Sequence, residues 1–263
     1  MPRPSSVSSP PVRFSDLSDR SVFITGGGSG IGAALTDAFV AQGARVAFVQ
    51  RSDAGAFCDD VAARHGRRPL FLPCDITDRE ALNAAIAAAA EAHGPVTVLV
   101  NNAANDQRHR AEDLDEAGWN ANLAVNLSAH FFSIQAVVGQ MRGAGGGSVI
   151  NLSSISYMMG NAGYPAYVTA NAGITGMTRA LAREFGPERI RVNALVPGWV
   201  LTERQRRLWA TPADLAAHLD RQCLKDHLEP EDLVGGALFL ASGASRMMTG
   251  QALVIDGGVV VTG

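Results

Sequence analysis

Seven short, largely apolar runs, most of them followed by a helical pattern, constrain this chain more than any other feature. They fall at residues 21–25, 45–49, 69–73, 96–100, 148–152, 191–196 and 252–255. A strand that is apolar at successive positions has no solvent face. Its sheet must be covered on both sides, which is the habit of parallel sheets. Helical patterns at residues 33–42, 53–65, 77–92, 116–141, 164–185, 203–224 and 230–241 supply the cover. The alternation predicts one doubly wound α/β domain. Residues 1–19 are rich in Ser and Pro, lack helical periodicity and are expected to be a flexible arm, so the domain is placed at residues 20–263. The arm has neither the apolar centre nor the amphipathic basic helix of a targeting peptide.

The remaining bulk features mostly exclude. A 263-residue chain with 47% hydrophobic and 18% charged residues can bury a sizeable core. A net charge of -3 gives no reason to expect nucleic acid or a membrane surface as partner. No apolar run approaches the length of a membrane span. Cys58, Cys74 and Cys223 lie far apart, without metal-ligand spacing. No metal is expected, and the sparse thiols fit a reduced, cytoplasmic protein. Lys225 is the only lysine.

The first strand runs into Gly26-Gly27-Gly28-Ser29-Gly30-Ile31-Gly32 and then a helix. Strand, glycine turn and helix are what a phosphate-binding loop needs. Glycine permits positive φ and close approach of a pyrophosphate, and the helix N-terminus supplies free N–H donors. The spacing Gly26-x-x-x-Gly30-x-Gly32 differs from the common G-x-G-x-x-G, and a tight turn without a ligand is the alternative. After the second strand stand Gln50-Arg51-Ser52, where an acidic residue would accept an adenosine 2′-hydroxyl. Arg51 offers a fork for a 2′-phosphate and Ser52 a hydroxyl. This favours NADP over NAD; a solvated Arg51 and use of either cofactor is the alternative. Asp75, followed by Ile76, could accept from an adenine amino group or help cap the next helix. The fourth strand ends in Asn101-Asn102-Ala103-Ala104, small enough for a ligand to lie over it.

Residues 149–173 are the candidate proton-transfer site. A strand ends at Ser153-Ser154, and a helix opening near Tyr164 carries Tyr167 and, one turn later, Asn171. Asn126 sits mid-helix in residues 116–141, where an inward amide is costly unless bonded. It either caps neighbouring backbone or props a water or side chain in the site. Residues 203–224 are amphipathic and contain Trp209, as a substrate lid would be; an ordinary surface helix pair is the alternative.

Together these residues resemble the short-chain dehydrogenase/reductase family. The matching motifs are Thr25-Gly26-x-x-x-Gly30-Ile31-Gly32, Asp75, Asn101-Asn102-Ala103-Ala104, Asn126, Ser154, Tyr167, Pro197-Gly198, Thr202 and Ile255-Asp256-Gly257-Gly258. They run in family order from about residue 21, with Ala104 where the family usually has glycine. The resemblance implies a seven-stranded Rossmann sheet and NAD(P) bound by these motifs with Ser29, Ile76 and Val200. It also implies a homotetramer and hydride transfer between a secondary alcohol or hemiacetal and nicotinamide. Residues 101–109, with Gln205, Trp209 and residues 221–225, are similar to bacterial aldose 1-dehydrogenases acting on pentoses or related sugars. Asn105, Ser156, Asn161, Trp199, Gln205 and Trp209 would then meet a polyol. Tyr167 would take the C1 hydroxyl proton, Ser154 would hold the reacting oxygen, Asn126 would support a water in the relay, and a lactone would leave.

One position departs. The family pattern is Tyr-x-x-x-Lys, and here Tyr167 is followed by Val168-Thr169-Ala170-Asn171. The lysine bonds the nicotinamide ribose and its charge lowers the tyrosine pKa; asparagine does the first in part and the second not at all. A unit charge about 4 Å away at an effective dielectric near 20 is worth about 4 kcal/mol. That corresponds to roughly two to three pH units. Three readings follow: an exchange, natural or introduced, that stops an otherwise complete enzyme; an active enzyme in which Arg108, His109 or another relay replaces the lysine; or a non-catalytic dinucleotide-binding scaffold. A dehydrogenase or reductase of some other secondary alcohol also stays open.

Overall fold

A computed structural model describes residues 12–261. Its strands are β1 (Ser21–Thr25), β2 (Arg45–Gln50), β3 (Leu70–Pro73), β4 (Val98–Asn101), β5 (Gly147–Leu152), β6 (Ile190–Pro197) and β7 (Ala252–Ile255). They form one sheet in the order β3-β2-β1-β4-β5-β6-β7, every neighbour parallel. The helices are α1 (Gly30–Ala41), α2 (Gly55–His65), α3 (Arg79–His93), α4 (Glu116–Leu123), α5 (Ala129–Gly143), α6 (Pro165–Phe185), α7 (Glu203–Leu208), α8 (Pro212–Arg221) and α9 (Val234–Ala241).

The strand side chains alternate between two cores. In β1, Val22 and Ile24 join Leu35 and Phe39 of α1 and Leu238 and Leu240 of α9. Phe23, between them, joins Leu82 and Ile86 of α3 and Ile134 and Val137 of α5. Val46 and Phe48 take the first face of β2, Ala47 and Val49 the second. Both faces are dry, which is why the strand sequences show no polar alternation.

Four expectations change. Residues 12–19, read from sequence as part of a flexible arm, are packed onto the domain. Leu17 is wholly buried, Phe14 N–H donates to Gln42 Oε1 at 2.8 Å, and Gly243 N–H donates to Asp16 Oδ2 at 2.6 Å. Residues 1–11 lie outside the described part. The helix expected over 116–141 breaks into α4, a π-helical turn (Ala124–Ser128) and α5. Asn126 Nδ2 donates to both the backbone oxygen and Oδ1 of Asn122, inserting a side chain into the helical ladder. Glu116–Gly143 taken as one stretch is long and apolar enough to cross a membrane, contrary to the reading that no run approaches that length. Here its apolar side chains fill the second sheet core. The lid pattern divides because Thr211 caps a new helix through its hydroxyl, which accepts from Asp214 N–H, with Pro212 in the first turn.

The strand order reverses between β1 and β4, so the connections leaving these strands diverge. The crevice outside their carboxyl ends is the ligand position of an open α/β sheet. A cleft of about 1100 Å³ lies there.

Candidate active site

The glycine loop forms one wall. Gly26 and Gly30 have φ of +69° and +53°, and a Cβ on Gly32 would overlap the Gly26 carbonyl oxygen. Only glycine lets α1 start this close to β1. Ser29 makes no side-chain cap bond, so the first N–H groups of α1 stay free toward the cleft lined by Ser29, Gly30, Ile31 and Gly32. That is a phosphate cradle. Asn102 stitches it to β4. Its N–H donates to Thr25 Oγ1 at 2.9 Å, and its Nδ2 donates to the Thr25 and Gly26 carbonyls at 3.0 Å each. Ala103 N–H shares the Thr25 hydroxyl at 3.1 Å.

Gln50 occupies the ribose position in an unexpected way. Its Oε1 accepts from Gly28 N–H at 3.0 Å, and its Nε2 donates to the Ser52 carbonyl at 3.0 Å and hydroxyl at 3.2 Å. Arg51 points out to solvent, its guanidinium 3.9 Å from Asp75 Oδ2. Asp75 Oδ1 accepts from the N–H and hydroxyl of Thr77, which hold its carboxyl below the usual range, with a smaller pull from Arg51. Asp78, not Asp75, caps α3, accepting from Glu80 and Ala81 N–H. Ile76, Ala104, Pro197, Gly198, Val200 and Thr202 all line the cleft. A Cβ on Gly198 would meet Asp256 Cα at 2.8 Å. Thr202 caps α7 and abuts the glycine loop, its Cγ2 3.1 Å from where a Gly30 Cβ would stand. The free helix N–H groups, the glycine-only approach and the small strand ends fit a dinucleotide.

Ser154, Tyr167 and Asn171 meet on the opposite wall. Ser154 Oγ accepts from Ser156 N–H at 3.1 Å, which fixes the hydroxyl and leaves its proton to give. Asn171 is buried, and its Nδ2 donates back to the Tyr167 carbonyl at 2.9 Å. Burial of its hydroxyl end pushes the Tyr167 pKa up to about 12. The Asp106 carboxylate and Tyr164 push the same way, while the Ser154 and Asn171 side chains pull back. Among the described residues no cation contributes to this shift. Arg108 stacks over Trp209 at 4.4 Å and faces Tyr164 at 5.8 Å, and His109 Nδ1 pairs with the Gln107 carbonyl at 3.2 Å.

Several expected contacts have other partners. Asn126 is fully engaged: its Oδ1 accepts from Asn105 N–H at 2.8 Å, and its Nδ2 donates to the Asn105 carbonyl at 2.9 Å as well as to Asn122. It clamps the loop after β4, which is the backbone cap among the alternatives read from sequence. Trp209 is not among the cleft residues, because Arg108 covers its ring. Gln205 lines the cleft with its amide engaged, Oε1 accepting from Trp199 Nε1 at 2.9 Å and Nε2 donating to Asp106 Oδ2 at 2.5 Å. Asn105, Ser156, Asn161 and Trp199 line it as expected. Asn161 Nδ2 donates to the Tyr164 hydroxyl at 3.1 Å, and the buried Ser156 hydroxyl has no partner among the described residues.

Asp106 and His130, which also line the cleft, were not legible as site residues in the sequence. Asp106 sits where α7 meets the β4 loop. His130 is buried on the cleft floor, its pKa driven down to about 4 by burial, so it is neutral. A lone Asp in a polar loop and a lone His in an apolar helix give no linear signal.

Comparison with known proteins fits this geometry. Residues 26–260 match a family model described as enoyl-(acyl carrier protein) reductase. The chain belongs to the short-chain dehydrogenase/reductase family. The family's members are NAD(P)-dependent oxidoreductases, and this chain is a short-chain dehydrogenase. It is 52% identical over 252 residues to a "Probable galactose dehydrogenase" of Rhizobium meliloti, covering 95% of this chain and 98% of that one. It is 44% identical over 246 residues to a D-xylose 1-dehydrogenase of Caulobacter vibrioides, covering 93% and 97%. Among solved structures it matches a candidate short-chain alcohol dehydrogenase from Sinorhizobium meliloti, with TM-score 0.89, 33% identity and coverage of 94% and 98%. The TT0495 protein of Thermus thermophilus gives a TM-score of 0.83 at 34% identity, covering 91% and 98%.

Proposed function

We propose that the protein oxidises an aldose at C1 to a lactone, preferring NADP, and that Asn171 keeps it slow. The observation that carries this is the cleft wall facing Ser154 and Tyr167. It is polar, with Asp106, Asn105, Ser156 and Asn161, as a polyol requires. Relatives with similar sequences carry the names galactose and D-xylose dehydrogenase. A bound nicotinamide supplies the hydride acceptor. Ser154, fixed by Ser156, donates to the reacting oxygen. Tyr167 accepts the hydroxyl proton only as phenolate. With its pKa near 12, about one molecule in 10⁴ is in that form at pH 8. Arg51 and Ser52, at the edge of the ribose position, supply the phosphate partners that support NADP. The family habit supports a cytoplasmic homotetramer.

The test is a panel of aldoses with NAD and NADP, run on the native chain and on Asn171→Lys. At least a tenfold rise in the variant is expected. Brisk native turnover that Asn171→Lys leaves unchanged overturns the slow-enzyme reading. The raised phenol favours one second reading, a scaffold that binds NADP without turnover. Calorimetric NADP binding with no turnover in either variant would establish it.

A further inference from the structure

The geometry points to Asp106 as the residue that selects a polyol: its carboxylate accepts substrate hydroxyls remote from the reacting carbon while tying α7 over them. This rests on the aldose reading above. Asp106 lines the cleft beside Tyr167 with a side chain only 23% exposed. Its backbone neighbour is immobilised, since Asn126 bonds both the N–H and the carbonyl of Asn105. The carboxylate therefore projects from a fixed point. Both oxygens are held by α7: Arg204 Nε donates to Oδ1 at 3.2 Å and Gln205 Nε2 to Oδ2 at 2.5 Å. Gln205 continues to Trp199, whose indole meets His218 of α8 edge-on at 5.4 Å. One carboxylate thus connects the β4 loop to both lid helices.

A carboxylate accepts at about four positions. Those given to α7 leave room for two hydroxyl donors, which vicinal hydroxyls of a sugar supply and a simple alcohol does not. A site that hydrogen-bonds a hydroxyl discriminates strongly against ligands lacking it. The buried Ser156 hydroxyl, which also lines the cleft, has no partner among the described residues and stays open to a further substrate hydroxyl. The location also costs something. The groups bearing on the Tyr167 hydroxyl are Ser154 from the loop after β5, Tyr164 and Asn171 from α6, and Asp106 from the loop after β4. Asp106 is the anion among them, and it opposes the phenolate. A binding role explains why it stands there.

The test uses the full chain in the Asn171→Lys background, with aldose binding to the NADP complex read by calorimetry and kinetics read on aldoses and on cyclohexanol. Asp106→Asn is expected to raise the aldose Kd and KM at least tenfold, with a much smaller change in kcat and no change in KM for cyclohexanol. Removing the anion should also move the rise of kcat with pH toward lower pH. Retained NADP binding reports folding, and Asp106→Glu, which keeps the charge, should recover part of the affinity. Arg204→Ala, which loosens α7 but leaves the carboxylate, should weaken aldose binding far less. If Asp106→Asn leaves aldose Kd and the pH profile unmoved, or Arg204→Ala reproduces its whole loss, Asp106 is only a lid strut and the assignment falls. Failure of the aldose reading looks different: the parent neither binds nor oxidises any aldose while cyclohexanol is turned over, and the Asp106 assignment falls with it.

Discussion

Gly32 and Asp106 line one cleft, but the walls they belong to are built by different means. The cofactor wall is made of backbone and neutral amides whose bonds close on one another: Asn102 on Thr25 and Gly26, Gln50 on Gly28 and Ser52. Its shape is set by atoms that cannot be larger. The substrate wall is made of charges and unfinished bonds: Asp106 with Arg204, Arg108 stacked on Trp209, an unpartnered Ser156, and a phenol held near 12. Its behaviour is set by electrostatics. The difference teaches that binding and chemistry are separable here. Asn171 brings no charge to the second wall, and the steric fit of the first does not depend on it.

That comparison can be broken at either wall. Gly32→Ala places a methyl against the Gly26 carbonyl and should be the most damaging change. Because neither partner is a flexible side chain, it should cost at least the roughly 3 kcal/mol upper end of core overpacking. Fluorescence titration should show at least a hundredfold loss of NADP affinity. Asn171→Lys comes next and should act on the opposite wall alone. We expect kcat to rise at least tenfold with NADP affinity changed far less. In the native chain kcat should climb with pH through the range 8–10 without a plateau, because the phenolate forms near 12. In the variant a plateau should enter that range. A native plateau near pH 8 would sink the electrostatic account.

Asn126→Ala sharpens the link between walls and loop. It deletes the clamp on Asn105 and the bonds to Asn122. About 2–3 kcal/mol of stability should go, read by urea unfolding, with a severalfold rise in substrate KM and little change in cofactor Kd. Gln50→Asp should have the smallest effect, a few-fold shift of the kcat/KM ratio toward NAD. If the ratio does not move, the Gly28–Gln50 contact has no part in cofactor choice.

The strands were legible because the inner ones are buried on both faces and the two edge strands are apolar as well, so each declares itself by its own residues. All seven lie within two residues of the apolar runs. The glycine loop was legible for a related reason: a steric demand on backbone is written locally, in residues that lack a side chain. That Ser154, Tyr167 and Asn171 come to one cleft was legible through motif order. The π turn at Asn126 was not, because the sequence gives an inward amide without its partner, and Asn105 lies 21 residues away. Trp209 was misplaced for the same reason. Its amphipathic helix indicates a lid, and only the fold brings Arg108 across its ring.

The sequence by itself determined the parallel sheet, the glycine turn between β1 and α1, and the family to which the chain belongs. These follow from apolar period, missing side chains and near-neighbour spacing, which are local properties of the chain. Only the tertiary structure decided which polar groups are engaged and which stay open. It gave Gln50 to Gly28, Asn126 to Asn105, and Gln205 to Asp106. It also set the phenol of Tyr167 within the field of the Asp106 carboxylate. Hydrogen bonds and fields join residues distant in sequence, so their outcome depends on where the fold sets each group.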